Sequence, residues 1–564
     1  MKNLIRIDWL FCLWAFVFWA FIYPHHILFT EQLSLFLYNA DFWKEYALQP
    51  GGWAACCGNF LAQFYINRWA GALIQTLLTL AMLAMSKEIL KKAGGKDGLL
   101  LAGIFPALLL ISLQCDIHFT PGDTLALLLP FALTLLYMSL ASVPIRRLSY
   151  TLAMIPVYLF SGAVALCSLY LACMLYEWLF AKDKWRYGTS LWLVMAVVLP
   201  HGWQSVYLTP DGGLFKFSFP LVEGIKYIPW LLSAFIPVGI VAVKAVAKRP
   251  WLFGVKFSVV ALFVVLGCGY YLFQKSFNPL NEQKFKMYRA ASQSNWEKVL
   301  KTGKRIKTPE QHTIYFTNLA LAMQGELPKK IFQYPQRDEH GLFLIRTWDD
   351  FNLHYGSEFY YHTGILNEAI RWIFDAYITR HKGMDYHTLI RLAIWNKENG
   401  DEEVAEKYFD ILKSTLMYRS WAKCQQKAAI PPRETDAMPV KESYFIGYEP
   451  FENLMRYYRN NPHHRMLLDC LLCYSLLQND VSNFLALFNI FYALSPKEIP
   501  QAYQEALLLI ADMRKMDIRH YPIDEINEIR FRTFLDGMKK RDTAELKRQF
   551  GDTWWYYSWQ KMKR

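Results

Sequence analysis

Nine apolar stretches fill the first half of this chain, and near Gln274 the pattern changes to helices with one polar face. The stretches are 9–29, 69–86, 98–114, 124–143, 148–162, 164–181, 188–209, 226–243 and 251–273. A helix crosses a hydrocarbon core of about 30 Å with about 20 apolar residues, because the backbone there can bond only to itself. Each stretch is therefore read as a transmembrane helix. The fifth and sixth share one run broken only by Ser161-Gly162-Ala163, and form either a tight helical hairpin or a single long helix with a kink. The first is too long for a signal-peptide core and lacks a small-residue cleavage site, so it is expected to stay as a span.

From about Asn281 the periodicity is that of helix after helix. The segment Gly364 to Trp372 recurs as Gly400 to Tyr408: a Gly, an Ala five residues on and an aromatic three beyond that repeat at a shift of 36, and Gly325 stands 39 residues before Gly364. That spacing is close to the 34-residue period of tetratricopeptide helix pairs, in which Gly closes the turn and Ala lets two helices approach. The expected fold is all-α. It has a polytopic bundle over 1–273 and an extracytoplasmic TPR-like helical-repeat domain over 274–564, with Pro431, Pro432 and Pro439 marking a loop at 418–448.

Charge gives this picture a direction. With the N-terminus inside, the inner segments hold fourteen Lys and Arg, among them Lys87, Lys91, Lys92, Arg146, Arg147, Lys182, Lys184 and Lys244. The outer loops hold four: Lys44, Arg68, Lys216 and Lys226. This is the positive-inside pattern, and it favours two spans over one between 148 and 181. Nine spans from an inside start put the second half outside an inner (cytoplasmic) membrane, in the periplasm of a cell with two membranes. That half carries 42 Lys and Arg against 36 Asp and Glu. Such evenly mixed charge is a solvated helical surface, not a nucleic-acid footprint.

No motif identifies a reaction. Cys470 and Cys473 have the spacing of a redox or metal pair, but they lie in the apolar run MLLDCLLCYSLL and read as buried structural thiols, with no second Cys/His pair at zinc-ligand spacing. The aromatic tail Trp554, Trp555, Tyr556, Tyr557 and Trp559 reads as packing or as a membrane-interface belt before it reads as a sugar platform. Ionisable groups near the outer face are where chemistry is expected, since charge at membrane depth is costly. The first outer loop, 30–68, holds Glu31, Asp41, Lys44, Glu45 and Arg68 and includes amphipathic stretches suited to the interface. The loop 114–123 adds Asp116, His118 and Asp123, the last of which also suits a helix cap in Thr-Pro-Gly-Asp-Thr.

Many spans, a long first outer loop with interface helices and an acid, and a C-terminal outer domain resemble the membrane module of GT-C-type glycosyltransferases. The resemblance implies a polyprenyl-phosphate-linked sugar donor, with Asp41, Asp116 and His118 as catalytic residues and Lys44 and Arg68 as substrate-binding ones. It further implies a divalent metal, Mg or Mn, on Asp41 and Asp123. The sequence departs from that family in having no Asp-x-Asp or Glu-x-Asp pair in the first loop. The segment TNLALAMQGELPKKIFQYPQRDEHGLF at 317–343, the turn Trp395 to Gly400 and the TWWYYSW tail resemble an uncharacterised family of Bacteroidota integral membrane proteins, which brings an architecture and no activity. The expected function is therefore an integral cell-envelope protein, bounded by membrane lipids, that presents a helical-repeat domain to an extracytoplasmic protein partner. The alternative is a GT-C-type transferase acting on a polyprenyl-linked glycan.

Overall fold

The computed structural model describes residues 2–95, 97–208, 213–215, 226–246, 255–306, 308–347, 350–379, 384–430, 450–494, 496–540 and 543–563. Lys216, Lys248, Arg249, the start of the stretch at 251 and the prolines at 431, 432 and 439 lie outside them. Every regular element among the described residues is a helix. Two compact units emerge, and neither is a continuous half of the chain. The first comprises 1–282 together with 385–387 and 410–424; the second comprises 283–384, 388–409 and 425–564.

In the first unit, five helices are long and apolar enough to cross a membrane: Arg68–Lys92, Pro121–Ser139, Met154–Phe180, Ile228–Ala245 and Val259–Ser276. A sixth is gained if the helix ending at Ile22 and Pro24–Gln32, bent by 71° at Tyr23, count together. Helix Ile104–Gln114 and helix Ser190–Trp203 are shorter. Large apolar side chains such as Leu73, Leu77, Leu191, Val198, Val238, Phe263 and Val264 point outward from these helices. So extensive an exposed apolar surface needs a hydrocarbon solvent, as a multipass membrane protein has.

Polar contacts tie several helix ends together. At one end Asp8 pairs with Lys87, Arg146 and Arg147 with Glu177, and Lys244 lies 4.3 Å from the Phe180 ring. At the other end Tyr23 donates to the Asn278 carbonyl, Gly51 N–H to the Tyr158 carbonyl and Trp203 to the Leu48 carbonyl. The helix written as Met154–Phe180 is in fact two. Gly162 stands at φ +76°, a conformation only glycine adopts readily, and the chain doubles back there so that Glu177 meets Arg146. The run broken by Ser161-Gly162-Ala163 is thus a helical hairpin.

Glu177 is fully buried at the base of this hairpin. It accepts from Tyr137 Oη (2.8 Å), from Arg146 and from Arg147, and Arg147 also reaches Asp183 at 2.6 Å. Such a network holds only with every member present, because a buried charge without its partner is costly.

The second unit is built of helical hairpins closed by one recurring turn. Gly325, Gly364 and Gly400 all adopt positive φ (69°, 79° and 87°), each ending a helix with the reverse bonds of a Schellman-type cap. Ser294 and Asn479 make the same turn at φ 53° and 60°. Ala369 and Ala405 are buried. Cys470 and Cys473 are buried thiols, pushed up by that burial away from ionisation. The aromatic tail forms helix Trp554–Met562 and packs inward: Trp554 Nε1 donates to the Leu476 carbonyl, Trp555 Nε1 to the Glu505 carbonyl and Tyr557 Oη to the Leu477 carbonyl.

One expectation fails locally. The loop placed at 418–448 begins with a helix, Arg419–Lys427, and its Tyr418 and Ala422 are buried in the first unit.

Candidate functional site

The connection between helix Pro24–Gln32 and helix Arg68–Lys92 is held firmly. After helix Pro24–Gln32 the chain has no regular structure from Ser34 to Tyr38, and two later segments bond to its backbone. Tyr386 N–H donates to the Ser34 carbonyl (3.0 Å) and Tyr38 N–H to the Ser414 carbonyl (2.9 Å). Asn39 then caps helix Ala40–Ala47 by accepting from Phe42 N–H, and Gly51, at φ +74°, turns the chain into helix Gly52–Ala62.

Beneath this connection sits a buried carboxylate, Glu31. Tyr418 Oη donates to Oε1 at 2.8 Å and Gln32 Nε2 to Oε2 at 2.8 Å. Burial first, and the Glu31 charge second, hold the Tyr418 phenol well above its usual range, so it stays a donor. The Tyr386 ring lies tilted 4.8 Å from that of Tyr418, and its hydroxyl donates to the Phe36 carbonyl. A second carboxylate, Glu282, accepts the His25 and His26 backbone N–H groups at 2.8 and 3.0 Å, an anion seated on a helix N-terminus. Both carboxylates are structural clasps made of residues far apart in sequence.

Above them, helices Ala40–Ala47 and Gly52–Ala62 frame a slot of about 280 Å³ lined by Trp43, Lys44, Tyr46, Ala47, Trp53 and Cys56. Trp43 and Trp53 are 50% and 40% exposed. The helix carrying Trp53 is set by a backbone contact: a Cβ on Gly58 would lie 2.0 Å from Gly122 N, so the two helices touch main chain to main chain. Gly58→Ala is expected to force them apart, costing about 1–3 kcal/mol as overpacking does. The thermal midpoint of the full-length protein in detergent should fall, and an unchanged midpoint would contradict this packing.

The residues singled out from sequence fall as follows. Asp41 is highly exposed and pairs with Lys44 at 2.9 Å, which places both beside the slot. Arg68 is exposed, its guanidinium 4.6 Å over the Trp69 ring. Asp116 accepts from His118 N–H at 2.8 Å within its own turn, and both are half-buried. Asp123 completes a capping box with Thr120, accepting from its N–H and Oγ1 at 2.8 and 2.7 Å, so its cap reading is the one the geometry expresses. With Lys44 on one carboxylate and a cap on the other, Asp41 and Asp123 do not offer a divalent cation a ready set of oxygens. Among the described residues no group of three or more His, Cys, Asp or Glu is arranged to hold a metal. Glu282, Tyr386 and Tyr418 had no signal in the sequence, because their partners lie about 250 to 390 residues away.

The chain belongs to a family described as a family of unknown function (DUF6057), whose model matches residues 2–561. No curated protein and no solved structure matches it.

Proposed function

We propose that this DUF6057 member is a nine-span protein of the cytoplasmic membrane whose second unit, a TPR-like array on the outer side, docks a protein partner of the cell envelope. The orientation is supported by Lys87, Arg146, Arg147 and Lys244 gathering at the end of the bundle from which the first helix starts. The observation that carries docking is an apolar stripe on two successive hairpins. Phe374, Ile378 and Val404 are 42%, 57% and 38% exposed. Tyr377 and Tyr408 bring the two helices together at 6.2 Å, with Phe374 and Ile378 one turn apart on the first and Val404 one turn before Tyr408 on the second. Exposed apolar residues grouped on a soluble helical array mark an interaction surface.

A photoreactive amino acid at Ile378 in living cells is expected to give one discrete protein adduct, lost when Phe374→Glu and Val404→Glu are combined. In the same cells a membrane-impermeant maleimide should label Cys424, an exposed thiol, before lysis, with Cys424→Ser as the control. An adduct indifferent to the double substitution removes the docking stripe; labelling only after lysis reverses the topology.

A second reading, a GT-C-type transferase, is favoured by one feature: the first outer connection folds as two short helices around an aromatic slot with Asp41 and Lys44 at its edge. No step through a metal is derived for it. Cells carrying Asp41→Ala should then lose a lipid-linked glycan or glycoprotein, and an unchanged glycan profile counts against it.

A further inference from the structure

Several basic residues on the second unit are held in ion pairs. Lys284 meets Glu310 at 2.6 Å, Lys330 meets Glu326 at 2.9 Å, Lys413 meets Asp410 at 2.7 Å and Arg548 meets Glu545 at 2.6 Å. The first hairpin also gathers four cations at one place. Helix Pro279–Ser292 supplies Lys286, and helix Trp296–Gly303 with the turn after it supplies Lys298, Lys301 and Arg305. All four line one pocket of about 420 Å³, with Glu297 as the sole acid in its wall. None of the four forms an ion pair among the described residues. Lys298 and Lys301 stand three apart on one face of the second helix, Arg305 follows in the turn after it, and Lys286 closes from the opposite helix.

Four cations gathered at one concavity repel one another, and an anion seated among them relieves that repulsion. The pocket is too small for a protein segment and polar throughout, with the Asn295 side chain at its rim. Lysine ammoniums from two sides suit a compact, multiply charged group with oxygens on several faces, which is a phosphate ester or diphosphate. We infer that this pocket is a binding site for a phosphate-bearing ligand, distinct from the apolar docking stripe. Lys286 stands ten residues beyond Ser276, where the last apolar helix ends, so both a phospholipid headgroup and a soluble phosphate ester are sources of that chemistry.

The test uses the full-length protein in neutral detergent with inorganic pyrophosphate, and in parallel the same protein with vesicles of phosphatidylcholine alone or with one-fifth phosphatidic acid. Binding is expected in at least one arm. It should weaken at least about tenfold in Lys298→Glu/Lys301→Glu, and several-fold when salt rises from about 50 to about 200 mM. Both lysines are exposed, so the variant should keep the wild-type thermal midpoint. A control, Lys539→Glu, removes a lysine already paired with Asp536 and should leave affinity unchanged. Pyrophosphate binding alone assigns a soluble phosphate ester, and vesicle binding alone assigns a lipid headgroup. No binding in either arm, or binding that the double variant does not weaken, overturns the site. Neither outcome bears on the Ile378 adduct, so docking and anion binding fail separately.

Discussion

Glu177→Ala is expected to cost the membrane-embedded unit about 3–5 kcal/mol, the loss typical when one partner of a buried ion network is removed. Glu177 is fully buried, and its two oxygens are shared among Tyr137, Arg146 and Arg147. Arg147 would keep Asp183, but Arg146 would be left with only the faces of Tyr137 and Tyr176, at 5.2 and 5.7 Å, to offset its charge. The penalty is thus mainly that of a stranded guanidinium, and it can be separated from loss of shape. Glu177→Gln keeps an acceptor for Tyr137 and should cost less than alanine. Combining Glu177→Leu with Arg146→Met removes the stranded guanidinium together with its partner and should recover much of the loss. The measurement is the fraction of full-length protein remaining monodisperse in detergent after heating. Equal survival of wild type and Glu177→Ala would show that the network carries no stability, and a double variant no better than the single one would show that stranded charge is not the cause.

The same residue shows what the sequence could and could not display. The apolar runs were plain because bilayer burial imposes a continuous composition, and the hairpin at Gly162 was visible as a break plus a charge on each side of it. That Glu177 lies opposite Arg146 is a tertiary fact, evident only once the chain has turned. In the second unit, Gly325, Gly364 and Gly400 announced the turn because a left-handed conformation favours glycine. The turns at Ser294 and Asn479 use the same backbone with side chains that tolerate it less well, so a search on glycine passes over them. The boundary near Gln274 marked the end of hydrocarbon solvent, but compactness follows contacts. Residues 385–387 and 410–424 join the first unit through backbone bonds to Ser34 and Tyr38 that no local period encodes. Helix Arg419–Lys427 is hidden in the sequence for a related reason. In RSWAKCQQK few positions are apolar, and it is anchored at its start by Tyr418, whose Glu31 partner is 387 residues away. Among the residues singled out for chemistry, Asp41 and Lys44 do lie together, since three residues along a helix is local geometry.

The stability of the C-terminal helix is expected to fall as pH rises from about 4.5 to about 7, and Glu505→Gln to remove that fall. Glu505 is buried and accepts the Trp554 N–H at 2.7 Å and the Gln501 side-chain amide at 2.9 Å, with Arg530 and Asp552 acting on it electrostatically. Burial outweighs these bonds and pushes its carboxyl up from 4.5 to about 7. Below pH 4.5 the group is protonated both folded and unfolded, and the full stability is present. Between about 4.5 and 7 the unfolded chain loses its proton while the folded one keeps it, so each step upward in pH favours unfolding; above 7 the loss is complete, at about 3 kcal/mol. Glu358 works the other way, because Arg391 and His362 overcome its burial and hold it near 2, so its contribution is lost only in acid. The two windows do not overlap, and a scan from pH 5 to 7.5 isolates Glu505 from Glu358. The readout is protease cleavage within 543–563 of the full-length protein in detergent, followed against temperature at each pH. Wild type should lose this helix at progressively lower temperature as pH rises, and Glu505→Gln, which keeps an acceptor for Trp554 and carries no charge, should lose it at one temperature throughout. The same slope in both proteins would mean that the tail's anchor is not what titrates.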